Sequence, residues 1–223
     1  MTISATSQGL KPGVCTSSNR PANPFDGMMI YETDTDKVAV YDVNAWVYKT
    51  AASVPVASGL VFISSTTFTT AASVSLPVAT FSATYLNYLV HFNLSAASTN
   101  INLTGRLRIA GADNTTSNYS TMLTGFQGDN TAANVGNTGQ SSFTLKSTNN
   151  NPTYAATFTF MDVFATQRTS ILTQIASVNP GVAVVGNSGS LMFDATTSFD
   201  SFSFIASTGT ITGTVKVYGY ANS

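Results

Sequence analysis

Apolar and polar positions alternate with a period of two along much of the chain, most clearly at residues 81–94 (FSATYLNYLVHFNL) and 101–109 (INLTGRLRI). Successive side chains of a strand point to opposite faces, so this alternation predicts strands with one apolar and one polar face. The segment between the two stretches, SAASTN, has the composition of a loop. We therefore expect a long antiparallel hairpin whose apolar face is covered by a second sheet.

Similar short stretches recur from residue 59 to the end of the chain, separated by clusters of Gly, Asn, Ser and Thr. We place strands near residues 60–65, 74–79, 81–94, 101–110, 119–126, 141–146, 155–164, 170–176, 189–194, 200–206 and 211–219. The Gly/Asn-rich stretches 111–118 and 127–140 are expected to be surface loops. Many short strands without a clear helical period predict an all-β fold. We expect a jelly-roll-like β-sandwich over residues 59–223, with an immunoglobulin-like sandwich as the alternative.

The N-terminal part of the chain has a different pattern. Residues 1–20 are rich in Ser, Thr, Gly and Asn and predict an extended arm that becomes ordered against a partner. The runs MMIYET, KVAVYD and AWVY, separated by turn-forming residues, predict a small β meander. A unit of this size rarely folds alone, so we expect residues 1–50 to attach the protein to a neighbour. Residues 51–58, AASVPVAS, are expected to be a linker.

Composition limits the classes of partner. Charged residues make up 9% of the chain, against about 25% in an ordinary globular protein, so the polar surface must consist of Ser, Thr, Asn and Gly. Nine basic and ten acidic residues give a net charge of −1, which argues against nucleic acid and against electrostatic binding to membranes. We see no secretory signal and no apolar run of the ~18–20 residues that membrane insertion requires.

Isolated titratable residues give weak evidence of chemistry. His91 is the only histidine, and without a second one it is expected to be a sheet-surface or interface residue. Glu32, Asp34, Asp36 and Asp42 form an acidic cluster that suggests a Ca²⁺ site. Their spacing does not match an EF-hand loop, so we favour a solvated turn. Cys15 is the only cysteine, which excludes an internal disulfide, and it lacks a catalytic base.

No motif for a nucleophile, a phosphate-binding loop or a catalytic metal is present. Three acids, Asp162, Asp194 and Asp200, are conceivable members of a glycosidase carboxylate pair, but isolated acids in turns are the ordinary interpretation. We therefore predict no enzymatic activity and no cofactor.

Two further sets of residues bear on packing. Five phenylalanines recur at strand spacing and are expected in the core rather than in a ligand platform; they are Phe158, Phe160, Phe164, Phe202 and Phe204. Arg106 and Arg108 share the polar face of one strand. They are expected to face solvent or to pair with acids of a neighbouring subunit.

Residues 15–48 resemble a segment common in structural proteins of tailed bacteriophages. The shared pattern is an R-P-x-x-P lead, a Gly before an I-Y-x-T-D-T strand, and a V-Y-D/N strand followed by a Trp. The matching residues are Arg20, Pro21, Pro24, Gly27, Ile30, Tyr31, Thr33, Asp34, Thr35, Val40, Tyr41, Asp42 and Trp46. The usual turn V-Y-(D/N)-G is replaced here by Asp42-Val43-Asn44, which leaves the hairpin geometry open. The C-terminal ITGTVKVYGYANS and the strands at 81–110 are similar to the β domain found beside this segment.

The resemblance implies a structural protein on the surface of the virion, made in the host cytoplasm, without catalytic activity or cofactor. It also implies a homo-oligomer, usually a trimer, attached to other virion proteins through the N-terminal segment. The attachment residues would be Arg20, Pro21, Pro24, Ile30, Tyr31, Tyr41 and Trp46. Our preferred expectation is a tail fibre or tail-associated adhesin that contacts a host surface glycan. A capsid decoration or head-fibre protein is the alternative, and a glycan-active jelly-roll enzyme is a third.

Overall fold

The computed structural model of the chain describes residues 13–48, 59–148, 154–178 and 184–221. All regular secondary structure in these four segments is β-strand. No helix long and apolar enough to cross a membrane is found among these described residues. The chain divides into two compact units, Met1–Val56 and Ala57–Ser223. The division falls within the expected linker, 51–58, which lies outside the described residues, as does the arm up to residue 12.

The N-terminal unit is a four-stranded sheet. Its strands are β1 (Gly13–Cys15), β2 (Met29–Glu32), β3 (Lys37–Asp42) and β4 (Ala45–Tyr48), adjacent in that order. The last three form the predicted antiparallel meander. The short β1 pairs in parallel with β2 and lies in a stretch that we expected to be part of the arm.

The turn between β3 and β4 consists of Val43 and Asn44 alone, because Asp42 pairs directly with Ala45. Both turn residues have positive φ, 42° for Val43 and 66° for Asn44. Two consecutive positive values identify the tight hairpin turn that matches strand twist and that favours Asn and Gly. A β-branched valine is unfavourable there, so the departure from the usual turn sequence places strain at Val43.

The larger unit is a β-sandwich, which confirms the predicted all-β fold. Its strands are β5 (Leu60–Ala71), β6 (Ser73–Ser75), β7 (Asn87–Ala97), β8 (Ile101–Ile109), β9 (Ala112–Asp113), β10 (Tyr119–Gln127), β11 (Val135–Gln140), β12 (Phe143–Thr148), β13 (Tyr154–Met161), β14 (Thr169–Ser177), β15 (Val185–Phe193), β16 (Ser201–Ala206) and β17 (Ile211–Tyr220). One sheet has eight strands in the order β11-β10-β15-β14-β13-β7-β17-β5. The other has the order β12-β8-β16-β6, with β9 paired to β8. The eight-stranded sheet is wider than either sheet of an immunoglobulin-like sandwich.

The predicted hairpin of β7 and β8 is wrong. β7 pairs with β13 and β17 in the large sheet, whereas β8 pairs with β12 and β16 in the small one. Three residues, 98–100, carry the chain from one sheet to the other. Alternation shows which face of a strand is apolar but not which strand lies beside it. Both strands do bury one apolar face in the common core.

The expected loop at 127–140 is also partly wrong, because Val135–Gln140 forms β11 at the edge of the large sheet, paired with β10. Most of its residues are exposed, so this strand carries no apolar signal. The shorter expected loop, 111–118, likewise contains the two residues of β9.

Stacked aromatic rings fill the space between the sheets. The rings of Phe92 and Phe204 lie with centroids 4.1 Å apart, which connects β7 of the large sheet to β16 of the small one. Four of the five phenylalanines predicted for the core are fully buried, namely Phe158, Phe160, Phe202 and Phe204. The fifth, Phe164, is 38% exposed because it follows β13 in a connecting loop. The burial of the other four supports the packing role over a ligand platform.

Candidate functional site

A buried ion pair organises the inner face of the N-terminal sheet. The side chain of Glu32 has no exposed surface, and its Oε1 accepts a hydrogen bond from Arg20 Nε over 2.6 Å. Its Oε2 accepts hydrogen bonds from the hydroxyl groups of Tyr48 at 2.9 Å and Thr35 at 3.0 Å. The hydrogen bond from Arg20 holds the pKa of Glu32 below its ordinary value, with smaller contributions from Tyr48 and Thr35. Glu32 is therefore a structural residue rather than part of the solvated turn that we expected.

Two of the other three acids of the cluster also have partners within the unit. Asp34 accepts hydrogen bonds from the backbone N–H and the hydroxyl of Ser17, and Asp36 accepts one from the hydroxyl of Tyr31. Among the residues that the structure describes, no group of three or more His, Cys, Asp and Glu side chains is placed to hold a metal ion. The arrangement of these acids gives no support to a Ca²⁺ site.

The residues that carry the phage resemblance are spread over both faces of this sheet. Ile30 is buried. Tyr41 and Trp46 are directly paired on neighbouring strands, and their rings contact each other edge to face with centroids 5.3 Å apart. Pro21 and Pro24 lie in the segment that joins β1 to β2. The role of all these residues in attachment remains a prediction.

The opposite face of the N-terminal sheet is apolar and partly exposed. Strand register places Val14 beside Tyr31 and Val38, and Met29 beside Val40 and Val47. By strand alternation these six residues point to the same side. Val14, Met29 and Val47 are between 41% and 53% exposed. We call this set of six residues the apolar face. Exposed apolar residues on so small a sheet are typical of a site of interaction.

A second surface lies on the outer face of the eight-stranded sheet. There the strand register aligns one row of five residues across neighbouring strands: Phe126, Gly186, Ala176, Ala155 and Asn93. The three central members have little or no side chain, so the sheet surface is depressed between the two ends. At one end the ring of Phe126 is 63% exposed.

The adjoining row is polar and consists of Thr124, Ser188, Gln174, Thr157 and His91. Together the two rows line a depression of about 770 Å³, which Ala132 and Asn134 border from the connection between β10 and β11. We call this depression the groove. Among the described residues that line it there is no Lys, Arg, Asp or Glu. His91 lies on this outer face, as its alternation predicted, and its ring contacts Tyr218 edge to face at 5.8 Å.

The wall of the groove is the connection between β10 and β11, and it is hydrogen-bonded to the sandwich at several points, one of which is the carbonyl group of Ala133. The oxygen of Ala133 accepts hydrogen bonds from Asn187 Nδ2 at 2.6 Å and from Lys146 Nζ at 3.0 Å. Burial lowers the pKa of Lys146. Gly125 lies beside this contact, and a Cβ atom at that position would come within 1.9 Å of the carbonyl oxygen of Gly186. These hydrogen bonds, together with the absence of a side chain at Gly125, hold the connection between β10 and β11 at the border of the groove.

Several polar side chains in the groove have no hydrogen-bond partner among the residues that the structure describes. No hydrogen bond joins the side chains of Asn93, Gln174 or His91 to another residue that the structure describes. Asn93 and Gln174 are exposed and His91 is half-buried, so their amide and imidazole groups can exchange bound water for a ligand. These three groups are therefore available to a bound molecule.

The remaining predicted site residues are engaged elsewhere. Arg108 forms an ion pair with Asp113 at 2.9 Å, and Arg106 donates a hydrogen bond to the carbonyl of Ser141 at 3.1 Å. Both contacts lie within the chain, and a role between subunits remains a prediction for each arginine. Asp194 pairs with Arg168, and Asp200 accepts a hydrogen bond from the backbone N–H of Ala110.

Sequence reasoning identified neither the groove nor the apolar face. The residues of both surfaces follow the predicted alternation, but they become neighbours only through strand register, which a single sequence does not reveal. Comparisons with protein-family models, with curated proteins and with solved structures found no match.

Proposed function

We propose that the chain is a structural protein of the surface of a bacteriophage particle, acting as a tail fibre or tail-associated adhesin. In this proposal the N-terminal unit attaches the protein to another virion protein, and the sandwich contacts the host. The observation that carries the proposal is the apolar face. A four-stranded sheet with one face exposed in this way gains stability when a partner covers it.

Three further features support the proposal. Residues 15–48 resemble the N-terminal segment of phage structural proteins. The ion pair of Arg20 and Glu32 gives this small unit a defined structure that a partner surface can recognise. The low content of charged residues makes the surface weakly sensitive to salt, which suits an extracellular particle. We expect a homotrimer, in line with the resemblance.

The experiment is to place the protein on intact particles and to weaken its apolar face. Particles are assembled with wild-type chain, Met29→Asp or Val47→Asp as the only source of the protein. Val184→Asp serves as the control, because Val184 is also an exposed valine but lies in the sandwich unit. We expect the first two variants to be lost from particles and the control to be retained, because a buried carboxylate without a partner opposes docking.

The position of the protein in an image reconstruction then separates the two locations. Density at the tail supports the adhesin proposal, whereas regular density over the head makes the protein a capsid decoration or head-fibre protein. Absence of the protein from all particles, or full incorporation of Met29→Asp, would contradict the proposed attachment.

A further inference from the structure

We infer that the groove binds a neutral oligosaccharide. The inference rests on the proposed adhesin function, because it supplies the ligand through which the sandwich would contact a host surface. The groove crosses five neighbouring strands, from β10 to β7. At ~4.8 Å between strands its length is about 19 Å. Its volume of about 770 Å³ lies within the range of about 300–1,000 Å³ for small-molecule sites. These dimensions suit a short chain of sugar rings.

The chemistry of the groove suits sugar rings. Sugar hydroxyl groups both donate and accept hydrogen bonds, and so do the amides of Asn93 and Gln174 and the hydroxyls of Thr157 and Ser188. A sugar ring also has apolar faces made of C–H groups. The exposed ring of Phe126 at the end of the small-residue row offers a flat apolar surface against which such a face packs.

The absence of charged residues from the lining of the groove disfavours anionic ligands. The described lining residues include no Lys, Arg, Asp or Glu, and His91 is the one titratable side chain among them. The nearest lysine along the same row, Lys216, pairs with His91 on the next strand but lies outside the lining. An anionic ligand would lose hydration and could reach only Lys216, beyond the edge of the lining, as a cationic partner. A neutral molecule has no such penalty.

The position of the groove also disfavours an extended peptide. Peptides that add to a sheet use the free N–H and C=O groups of an edge strand. The groove lies on the face of the sheet, where the backbone groups of β13, β14 and β15 are already paired on both sides. Recognition must therefore use side chains, and these offer mainly amides and hydroxyls.

The test begins with the full chain on an array of neutral and acidic oligosaccharides, followed by calorimetric titration of the tightest neutral binder. Ala176→Trp fills the floor of the groove at an exposed position. We expect it to abolish binding. Gln174→Ala and Phe126→Ala each remove one contact, and we expect affinity to fall about 3- to 10-fold. Met192→Trp places the same large side chain on the same face but two rows beyond the groove, and should bind like the wild type.

Thermal unfolding confirms that each variant is folded before its affinity is compared. Failure of every neutral oligosaccharide to bind, binding of acidic glycans alone, or unchanged affinity in Ala176→Trp would overturn the inference. Particle incorporation separates this result from the proposed attachment. Ala176→Trp should still join particles, and Met29→Asp should still bind the sugar. A chain that binds sugar but is found on no particle would overturn the proposed function and leave the ligand inference standing.

Discussion

Arg20 and Glu32 form a hydrogen-bonded ion pair at 2.6 Å in which the acid is fully buried and the base is 28% exposed. The pair joins the segment that precedes β2 to the end of that strand, twelve residues away. The N-terminal sheet needs this polar link because Ile30 and Ala39 are the only hydrophobic residues classed as buried among its described residues. Arg20 also donates a hydrogen bond to the hydroxyl of Tyr48, so one guanidinium group connects this segment to two strands.

We predict that acidification unfolds the N-terminal unit before the sandwich. The pKa of Glu32 is lowered in the folded state, chiefly by the hydrogen bond from Arg20. Its stabilising contribution is therefore complete above the ordinary glutamate value of 4.5 and is lost as the pH falls through the lower folded value. Asp34, whose pKa is lowered by its bonds to Ser17, acts in the same direction.

Fluorescence of Trp46 measures this transition, because it is the only tryptophan of the chain and packs against Tyr41 in the N-terminal sheet. The variant Glu32→Gln keeps the shape of the side chain but does not titrate. We expect its fluorescence profile between pH 6 and 2 to be flatter than that of the wild type, with a less stable unit at neutral pH. An identical acid transition in the two proteins would show that Glu32 does not control it.

We predict that Val43→Asn stabilises the N-terminal unit. Val43 has a φ of 42° in a two-residue turn, a conformation that costs an L residue about 1–2 kcal/mol and that Asn tolerates better. The expected gain is about 1 kcal/mol in the free energy of unfolding, measured by denaturant titration of Trp46 fluorescence. Val43→Ala, which removes the branch but keeps a Cβ atom, should gain less. A lower stability for Val43→Asn would be evidence that Val43 makes a contact of its own.

The predictable part of the sandwich is the direction of its side chains. Alternation correctly placed Tyr88, Val90 and Phe92 in the core and His91 on the outer face. It did not reveal that β7 and β8 lie in different sheets, because both strands need an apolar cover and either arrangement provides it. The groove depends on that missing information, since Ala155, Ala176 and Gly186 become neighbours only in the correct register.

The burial of Glu32 was unpredictable for a related reason. A glutamate next to the turn-forming stretch Thr33-Asp34-Thr35-Asp36 has the composition of a solvated acid. Its partner, Arg20, lies twelve residues earlier in a segment with two prolines and no strand pattern. Only the folded path of that segment brings the two charges together.

The space around two glycines predicts different effects of their substitution by alanine. A Cβ atom on Gly105 would lie 2.3 Å from the ring of Phe202, whereas one on Gly136 meets no atom within 4 Å. We expect Gly105→Ala to cost about 1–3 kcal/mol through overpacking and Gly136→Ala to change stability by less than about 0.5 kcal/mol. Thermal unfolding of the two variants measures the difference. Equal stability would show that Phe202 can move aside without cost.

The anchor of the groove wall is tested by Asn187→Ala. The variant removes the 2.6 Å hydrogen bond to the carbonyl of Ala133, while Lys146 continues to donate to the same oxygen. It also removes Asn187 Oδ1, a buried acceptor without a partner in the described structure, so the expected loss is modest, about 1 kcal/mol.

The larger effect of Asn187→Ala should be local. Hydrogen exchange at residues 128–134 is expected to rise severalfold, because the wall opens without unfolding of the sandwich. The affinity of the groove for its oligosaccharide should fall with it, since a looser wall must be ordered on binding. Lys146→Met, which keeps Asn187 in place, should give a smaller rise in exchange, because the shorter bond remains. Unchanged exchange at residues 128–134 in Asn187→Ala would mean that the bond to Ala133 does not hold the wall.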